Sequence, residues 1–172
     1  ERMKSYNGDK AAGTEVVIPN KSFSEKSIFT LGGLEFHVLY LGPAHGPGDT
    51  QVWLPQLSLI IAGDMAFHER MLPIFENTCT KCWLKTWDEK FAPLNATYVI
   101  PGHGHPTNMA QVARFTRDYL KDLRTKVLEV LDNGGNLAEA FYVDQERWRS
   151  LDTFEELAKR NAGRVFEEME FE

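Results

Sequence analysis

The segment that decides the fold is LSLIIAGD at residues 57–64. The run from Leu57 to Ala62 has the length and composition of a buried strand, and Gly63 followed by Asp64 ends it. Working outward, two more strand-like runs each end in a Gly-containing loop. GPAHGPGDT, residues 42–50, follows a strand predicted to end at Leu41, and PGHGH, residues 101–105, follows the strand predicted at 97–100. The same junction, a predicted strand followed by a Gly-containing segment, therefore occurs three times.

The other strands are predicted from turn chemistry and alternation. Gly32 and Gly33 separate two strand-like runs, 28–31 and 34–41, which is typical of a hairpin because such turns need positive φ. A second hairpin is predicted where residues 51–54 and 57–62 flank Pro55-Gln56, and 16–18 could form a further short strand.

The helices are predicted later in the chain. Helical spacing of apolar residues runs over 80–91 and from Asn108 to Leu131, and again over 154–169. Asp152 with Glu155 resembles a capping box at the start of the last helix. Strands followed by helices, with one strand between helices, predict a layered α/β or α+β domain with a sheet of mixed direction.

Length and charge limit the function. A chain of 172 residues fits one domain, 1–172, of which the polar, Gly-containing residues 1–14 are predicted to be mobile. The net charge is −6 with no Lys/Arg block, so neither nucleic acid nor a membrane is expected as a partner. The expected partner is a small-molecule substrate. The opening residues resemble neither a signal peptide nor a translation start, which suggests the middle of a longer protein and leaves the compartment unknown.

Cys79 and Cys82 form a single C-x-x-C at the predicted start of a helix. Two ordinary thiols are the favoured interpretation, because no further ligands for a zinc knuckle lie nearby. A structural disulfide or a redox pair stays open as the alternative.

The three junctions carry the chemistry. If their strands end at one edge of a sheet, His45, Asp64 and His103 converge, and two imidazoles with a carboxylate form a recurring catalytic zinc arrangement. A metal there would lower the pKa of bound water to about 7 and supply a hydroxide nucleophile. Each residue taken singly has an ordinary alternative, as a solvated turn residue or a helix cap.

The motifs GPAH with GDT, IIAGD and VIPGHG, in this order and each after a strand, resemble the last three metal motifs of the metallo-β-lactamase superfamily. The resemblance covers the chain from about Thr14. It implies half of an αββα sandwich in which His45 binds one zinc, His103 binds a second and Asp64, the catalytic candidate, bridges them. The implied cofactor is one or two zinc ions, with iron or manganese as alternatives. Asp64 in place of a cysteine favours the branches that resemble glyoxalase II and related esterase-type enzymes.

The sequence departs from that family in one large respect, because its His-x-His-x-Asp-His motif is missing. The five histidines are His37, His45, His68, His103 and His105. The chain is therefore predicted to be the C-terminal portion of the fold, with only part of the site.

Two functions follow from this reading. One is a metal-dependent hydrolase of ester, thioester or amide-type substrates, and the other is a non-catalytic or assembly-dependent domain with a vestigial metal site. Redox activity through the two cysteines is a weaker third. His68, Arg70 and His105 are candidates for substrate contact or for support of the ligands.

A half-fold should also expose an apolar sheet face. The expected partner is therefore a second copy of the chain or the missing N-terminal half. A monomer whose C-terminal helices fold over that face is the alternative.

Overall fold

The computed structural model describes Ser5 and residues 7–172. It contains a five-stranded sheet in which each strand lies beside its neighbours in sequence. The first four strands form an antiparallel meander and the fifth is parallel to the fourth. The strands are β1 Lys26–Leu31, β2 Leu34–Leu39, β3 Gln51–Leu54, β4 Leu59–Phe67 and β5 Tyr98–His103. The predicted α/β class with a mixed sheet is confirmed.

The helices follow the strands, as predicted. They are α1 Thr80–Thr86, α2 Met109–Val112, α3 Tyr119–Asp132, α4 Leu137–Ala140 and α5 Phe154–Met169. Wider π-type turns over Trp87–Phe91 and Ala113–Asp118 prolong α1 and join α2 to α3. Short 3-10 turns lie at Gly8–Ala11, Pro55–Leu57, Ala92–Leu94 and Glu146–Trp148. No helix in the described part of the chain is long and apolar enough to cross a bilayer.

The turns show which local predictions were sound. Gly32 and Gly33 both have positive φ, 59° and 81°, so the first hairpin is confirmed.

The strand predicted at 16–18 is wrong, because these residues are 81–88% exposed and pair with no strand. β-Branched side chains favour extended backbone, but without a partner strand they form no sheet. The predicted mobility of residues 1–14 stays a prediction, and residues 1–4 and 6 lie outside the described part.

Helix capping differs from the prediction at the last helix. The capping box predicted there is wrong: α5 begins after Thr153, which has φ 63° and makes no side-chain cap. A reciprocal capping box instead starts α4, where Asn136 and Glu139 each bond the other's backbone N–H. The same sequence signal therefore occurs twice, and tertiary context decided which copy is used.

The core lies on one face of the sheet. Ile60 and Val99 point towards the helices and are fully buried with Trp83, Trp87 and Tyr119. The other face exposes large apolar side chains, namely Phe29, Leu31, Ile61 and Tyr98, which are 40–67% exposed. The apolar face predicted for a half-fold is therefore present, and the C-terminal helices pack on the opposite side of the sheet.

Strand direction positions the functional loops. Because β2, β3 and β4 alternate in direction, β4 runs the same way as β2, and β5 is parallel to β4. The carboxyl ends of β2, β4 and β5 therefore share one edge of the sheet. In open α/β sheets this edge is where ligands usually bind.

Candidate functional site

Asp64 lies between two histidines at this edge. Its Oδ2 is 3.6 Å from Nδ1 of His45, and its Oδ1 is 3.6 Å from Nε2 of His103. The side chain of His45 is 14% exposed, whereas those of Asp64 and His103 are about one third exposed. The structure thus brings the three predicted residues together, with each imidazole facing a different oxygen of one carboxylate.

The loop that carries His45 is fixed by hydroxyl groups from the next segment. Thr78 Oγ1 donates to the carbonyl of His45 at 2.7 Å, and Thr86 Oγ1 donates to the carbonyl of Pro43 at 2.8 Å. A Cβ at Gly42, where φ is 136°, would lie 2.7 Å from the Thr86 hydroxyl, so this close approach needs glycine. Neither threonine carries a pattern that sequence reasoning could use.

Aromatic rings surround the His45 imidazole. Phe67, Phe75 and Trp83 have ring centroids 5.2–5.8 Å from that of His45. The Nε2 atom of His45 is buried and has no hydrogen-bond partner among the described atoms. A buried polar atom without a partner is costly. This atom points in a different direction from Nδ1, which is the His45 nitrogen that faces Asp64.

Asp64 lies inside β4 and not at its end. The predicted end of the strand at residues 62–64 is wrong: β4 continues to Phe67, with register irregularities on either side of Gly63 where it pairs with β5. These bulges turn the strand without ending it. On β5, a Cβ at Gly102 would lie 2.1 Å from Oδ1 of Asp64, so glycine leaves the room that the carboxylate occupies.

His103 ends β5, and its Nδ1 has a hydrogen-bond partner, whereas its Nε2 faces Asp64 at 3.6 Å. Arg70 Nη1 donates to Nδ1 at 2.8 Å, and Phe67 stacks on the ring with centroids 5.1 Å apart. A guanidinium can only donate, so Nδ1 accepts, and in a neutral ring Nε2 carries the proton. That proton faces Asp64. A cation could bind Nε2 only if the proton moved and Arg70 left Nδ1.

The remaining candidates lie beside His103 and not between the ligands. Nδ1 of His68 donates to the carbonyl of His105 at 2.9 Å, so His68 joins the two loops. His105 is 87% exposed, and its Nδ1 lies 2.6 Å from the Glu69 carboxylate. The hydrogen bond with Glu69 raises the pKa of His105, and the same bond lowers the pKa of Glu69. Glu69, which has φ 63°, is a partner that the sequence did not reveal.

The residues fit a metal only in part. Two imidazoles and a carboxylate are suitable donors for zinc, and Nδ1 of His45 and Nε2 of His103 both face Asp64. In the described ranges, however, no group of three or more His, Cys, Asp or Glu side chains forms a metal-binding cluster. The two observations agree because each imidazole lies against a different oxygen of Asp64, so that the three side chains do not converge on one point. The arrangement therefore fits an incomplete centre.

The cysteine pair differs from the favoured interpretation. Cys79 and Cys82 form a disulfide, so the prediction of two ordinary thiols is wrong. A C-x-x-C spacing at a helix start allows the two sulfur atoms to meet, and sequence alone does not distinguish the two states. Cys79 is the N-cap of α1, directly after Thr78, so the bridge closes the turn that supports His45.

Comparison with known proteins gives one family. The family model described as the metallo-beta-lactamase superfamily matches residues 2–128 of the 172. A metallo-beta-lactamase type 2 from Bacteroides fragilis is 29% identical over 99 residues, which cover 56% of this chain and 40% of the relative. The chain thus spans less than half the length of this relative.

Solved structures agree on the fold. The sec-alkylsulfatase Pisa1 from Pseudomonas sp. superposes with a TM-score of 0.65 at 20% identity, covering 90% of this chain and 27% of the other. A metallo-beta-lactamase from Pontibacter korlensis gives 0.51 at 22% identity, covering 60% and 49%. At these identities the likeness concerns the fold alone. The family model, which matches well over half of the sequence, shows that this chain belongs to the metallo-beta-lactamase superfamily.

Proposed function

We propose that this chain supplies part of the metal centre of a hydrolase that acts on ester, thioester or amide-type substrates. The observation that carries the proposal is the position of Asp64, whose two oxygens each face one of His45 and His103 at 3.6 Å. A carboxylate shared in this way suits a bridging ligand. Zinc, when bound, supplies Lewis acidity and lowers the pKa of water to about 7.

The chain's own residues prepare the site for this role. His45 is fixed by Thr78 and enclosed by aromatic rings, which exclude water and strengthen electrostatic interactions. Asp64 is the candidate catalytic residue, because it is the carboxylate that both imidazole rings face. Arg70 fixes the His103 ring through Nδ1 and would release that atom when Nε2 binds a metal. The relative from Bacteroides fragilis is named a metallo-beta-lactamase, so an amide-type bond is a compatible substrate chemistry.

A second candidate function, an assembly-dependent or non-catalytic domain, is supported by a separate observation. The described residues contain no three-ligand cluster, and Arg70 occupies a ring nitrogen of His103. A catalytic zinc normally has three protein ligands on one ion. Under this alternative the centre acts only when another chain completes it.

Zinc titration of the 172-residue chain tests the proposal. We expect weak binding, because few ligands remain and a partial shell leaves water poorly oriented. His45→Ala, Asp64→Asn and His103→Ala should each lower the affinity at least about tenfold. Calorimetry measures this directly.

The matched control is His37→Ala, which removes an imidazole that is hydrogen-bonded to Glu35 on β2 and is outside the site. It should leave zinc affinity unchanged. Equal losses in all four variants would indicate nonspecific binding and would contradict the proposed site. Tight binding of two ions by the wild-type chain would contradict the proposal that it is incomplete.

We further propose that the exposed apolar sheet face is covered by a second copy of the chain or by the missing N-terminal half. Phe29, Ile61 and Tyr98 lie on that face and are 40–59% exposed. Large exposed apolar patches usually mark interaction sites. Sedimentation of the isolated chain should show a dimer that Ile61→Lys dissociates, because the lysine would place an unpaired charge in the interface. A wild-type monomer at high concentration would contradict the homodimer.

A further inference from the structure

A cleft opens directly beside His45, away from Arg70 and His105. Its volume is about 1030 Å³, and its walls are formed by His45, Phe75, Glu76, Asn77, Arg160 and Arg164. A molecule in this cleft would therefore lie against one of the candidate metal ligands. Both arginines lie on the last helix, far along the chain from the motifs that carry His45, Asp64 and His103.

The arginines form one wall of the cleft. Arg160 and Arg164 are four residues apart on α5, so their side chains project from the same face of the helix. Within the described residues Arg160 makes no ion pair, and its guanidinium lies 6.0 Å from the centre of the Phe75 ring. Arg164 Nη1 bonds Glu167 at 2.7 Å, which leaves other N–H groups of the same guanidinium free to donate.

The position of these arginines relative to His45 is fixed by buried contacts. Asn161, the residue after Arg160, is fully buried and bonds the backbone of both Leu72 and Ile74. At the Phe75 wall of the cleft, the Phe75 N–H donates to Thr78 Oγ1, which itself donates to the His45 carbonyl. Both walls are thus tied to the segments that build the site. Such preorganisation favours recognition of a ligand.

The chemistry of the walls selects a class of ligand. Two guanidinium groups favour an oxyanion, since Arg matches the geometry of carboxylate and similar groups. Phe75 is 39% exposed and offers an apolar surface next to His45. Among the described residues, Glu76 is the one carboxylate that lines the cleft, whereas Arg160 and Arg164 contribute two positive charges.

We propose that this cleft binds the anionic end of a small organic substrate, a carboxylate or a sulfate, through Arg160 and Arg164, with the apolar part against Phe75. The assignment of the ligand as a substrate rests on the proposed function. The binding itself does not, because no metal ion takes part in it.

Calorimetric titration of the 172-residue chain, without added metal, tests this proposal. Hexyl sulfate and hexanoate are the two anionic probes, and hexan-1-ol is the neutral probe of equal chain length. At least one anion should bind more tightly than the alcohol, and the tighter one identifies the oxyanion. Arg160→Gln and Arg164→Gln should each weaken anion binding about three- to tenfold, and Arg164→Lys should restore part of it.

Lys159→Gln is the matched control, because it removes the same charge one residue away on the same helix. Lys159 lies over the Tyr142 ring, outside the cleft, so anion affinity should not change. Equal binding of alcohol and anions, or equal losses in the control and the arginine variants, would overturn the proposal. A chain that binds the anions through these arginines but fails the zinc titration would retain this inference and lose the hydrolase.

Discussion

Gly104→Ala is expected to destabilise the chain by about 3 kcal/mol or more. Gly104 has φ 87°, and a Cβ there would lie 1.9 Å from the carbonyl oxygen of His68. That oxygen belongs to the backbone and cannot rotate away. The His68 N–H also donates to the carbonyl of His103 at 3.0 Å, so relief of the clash would separate β4 from β5 beside the site. Urea denaturation of the wild-type chain and of Gly104→Ala measures the difference in the free energy of unfolding.

Gly134→Ala is the control for the backbone effect alone. Gly134 has φ 70°, similar to that of Gly104, but a Cβ there would meet no atom within 4 Å. Gly134→Ala should lower the free energy of unfolding by about 1–2 kcal/mol, the usual penalty for an L-residue in the left-handed region. If both variants lose the same stability, the close approach at Gly104 does not constrain the two loops as we describe.

His45→Ala and His103→Ala are expected to reduce hydrolysis at least about 100-fold in a complete enzyme, in which the His-x-His-x-Asp-His motif is also present. Both side chains face Asp64. Because the His45 ring is enclosed by aromatic side chains, His45→Ala should also lose some stability, whereas His103→Ala, at a more exposed residue, should lose less, and thermal unfolding measures both. The measurement is kcat/KM for an ester or thioester substrate.

The matched control in this experiment is again His37→Ala, which should retain full activity. Unchanged turnover in both the His45 and His103 variants would count decisively against the metal assignment. An alanine variant could lose activity because it unfolds and not because it lacks a ligand. His45→Gln and His103→Gln distinguish the two causes, because they preserve much of the side-chain volume. Activity that returns fully in these variants would also contradict the ligand roles.

Much of the fold was predictable because its signals are local. Gly32-Gly33 fixes a hairpin, and buried strand runs ending in Gly-containing loops placed His45 and His103 correctly. The continuation of β4 beyond Asp64 was not predictable, because it depends on bulges in the pairing with β5. Propensity carries no information about such irregularities.

The surroundings of the site were less accessible to sequence reasoning. Arg70 was a candidate for support, and the structure places it on Nδ1 of His103. Thr78 and Arg160 act through tertiary contacts across 33 residues or more of sequence, and neither carries a motif. The cysteine pair shows the same limit, since C-x-x-C spacing allows both thiols and the observed disulfide.

The most direct test of the central claim, that His45, Asp64 and His103 form a partial metal centre, is zinc titration of the 15N-labelled chain followed through the histidine ring nitrogens by NMR. We predict that the ring signals of His45 and His103 shift together, while those of His37 do not. We also predict that Asp64→Asn suppresses both shifts, because the carboxylate faces both rings. Shifts confined to His68 or His105, or shifts of His45 and His103 that Asp64→Asn leaves unchanged, would contradict the account.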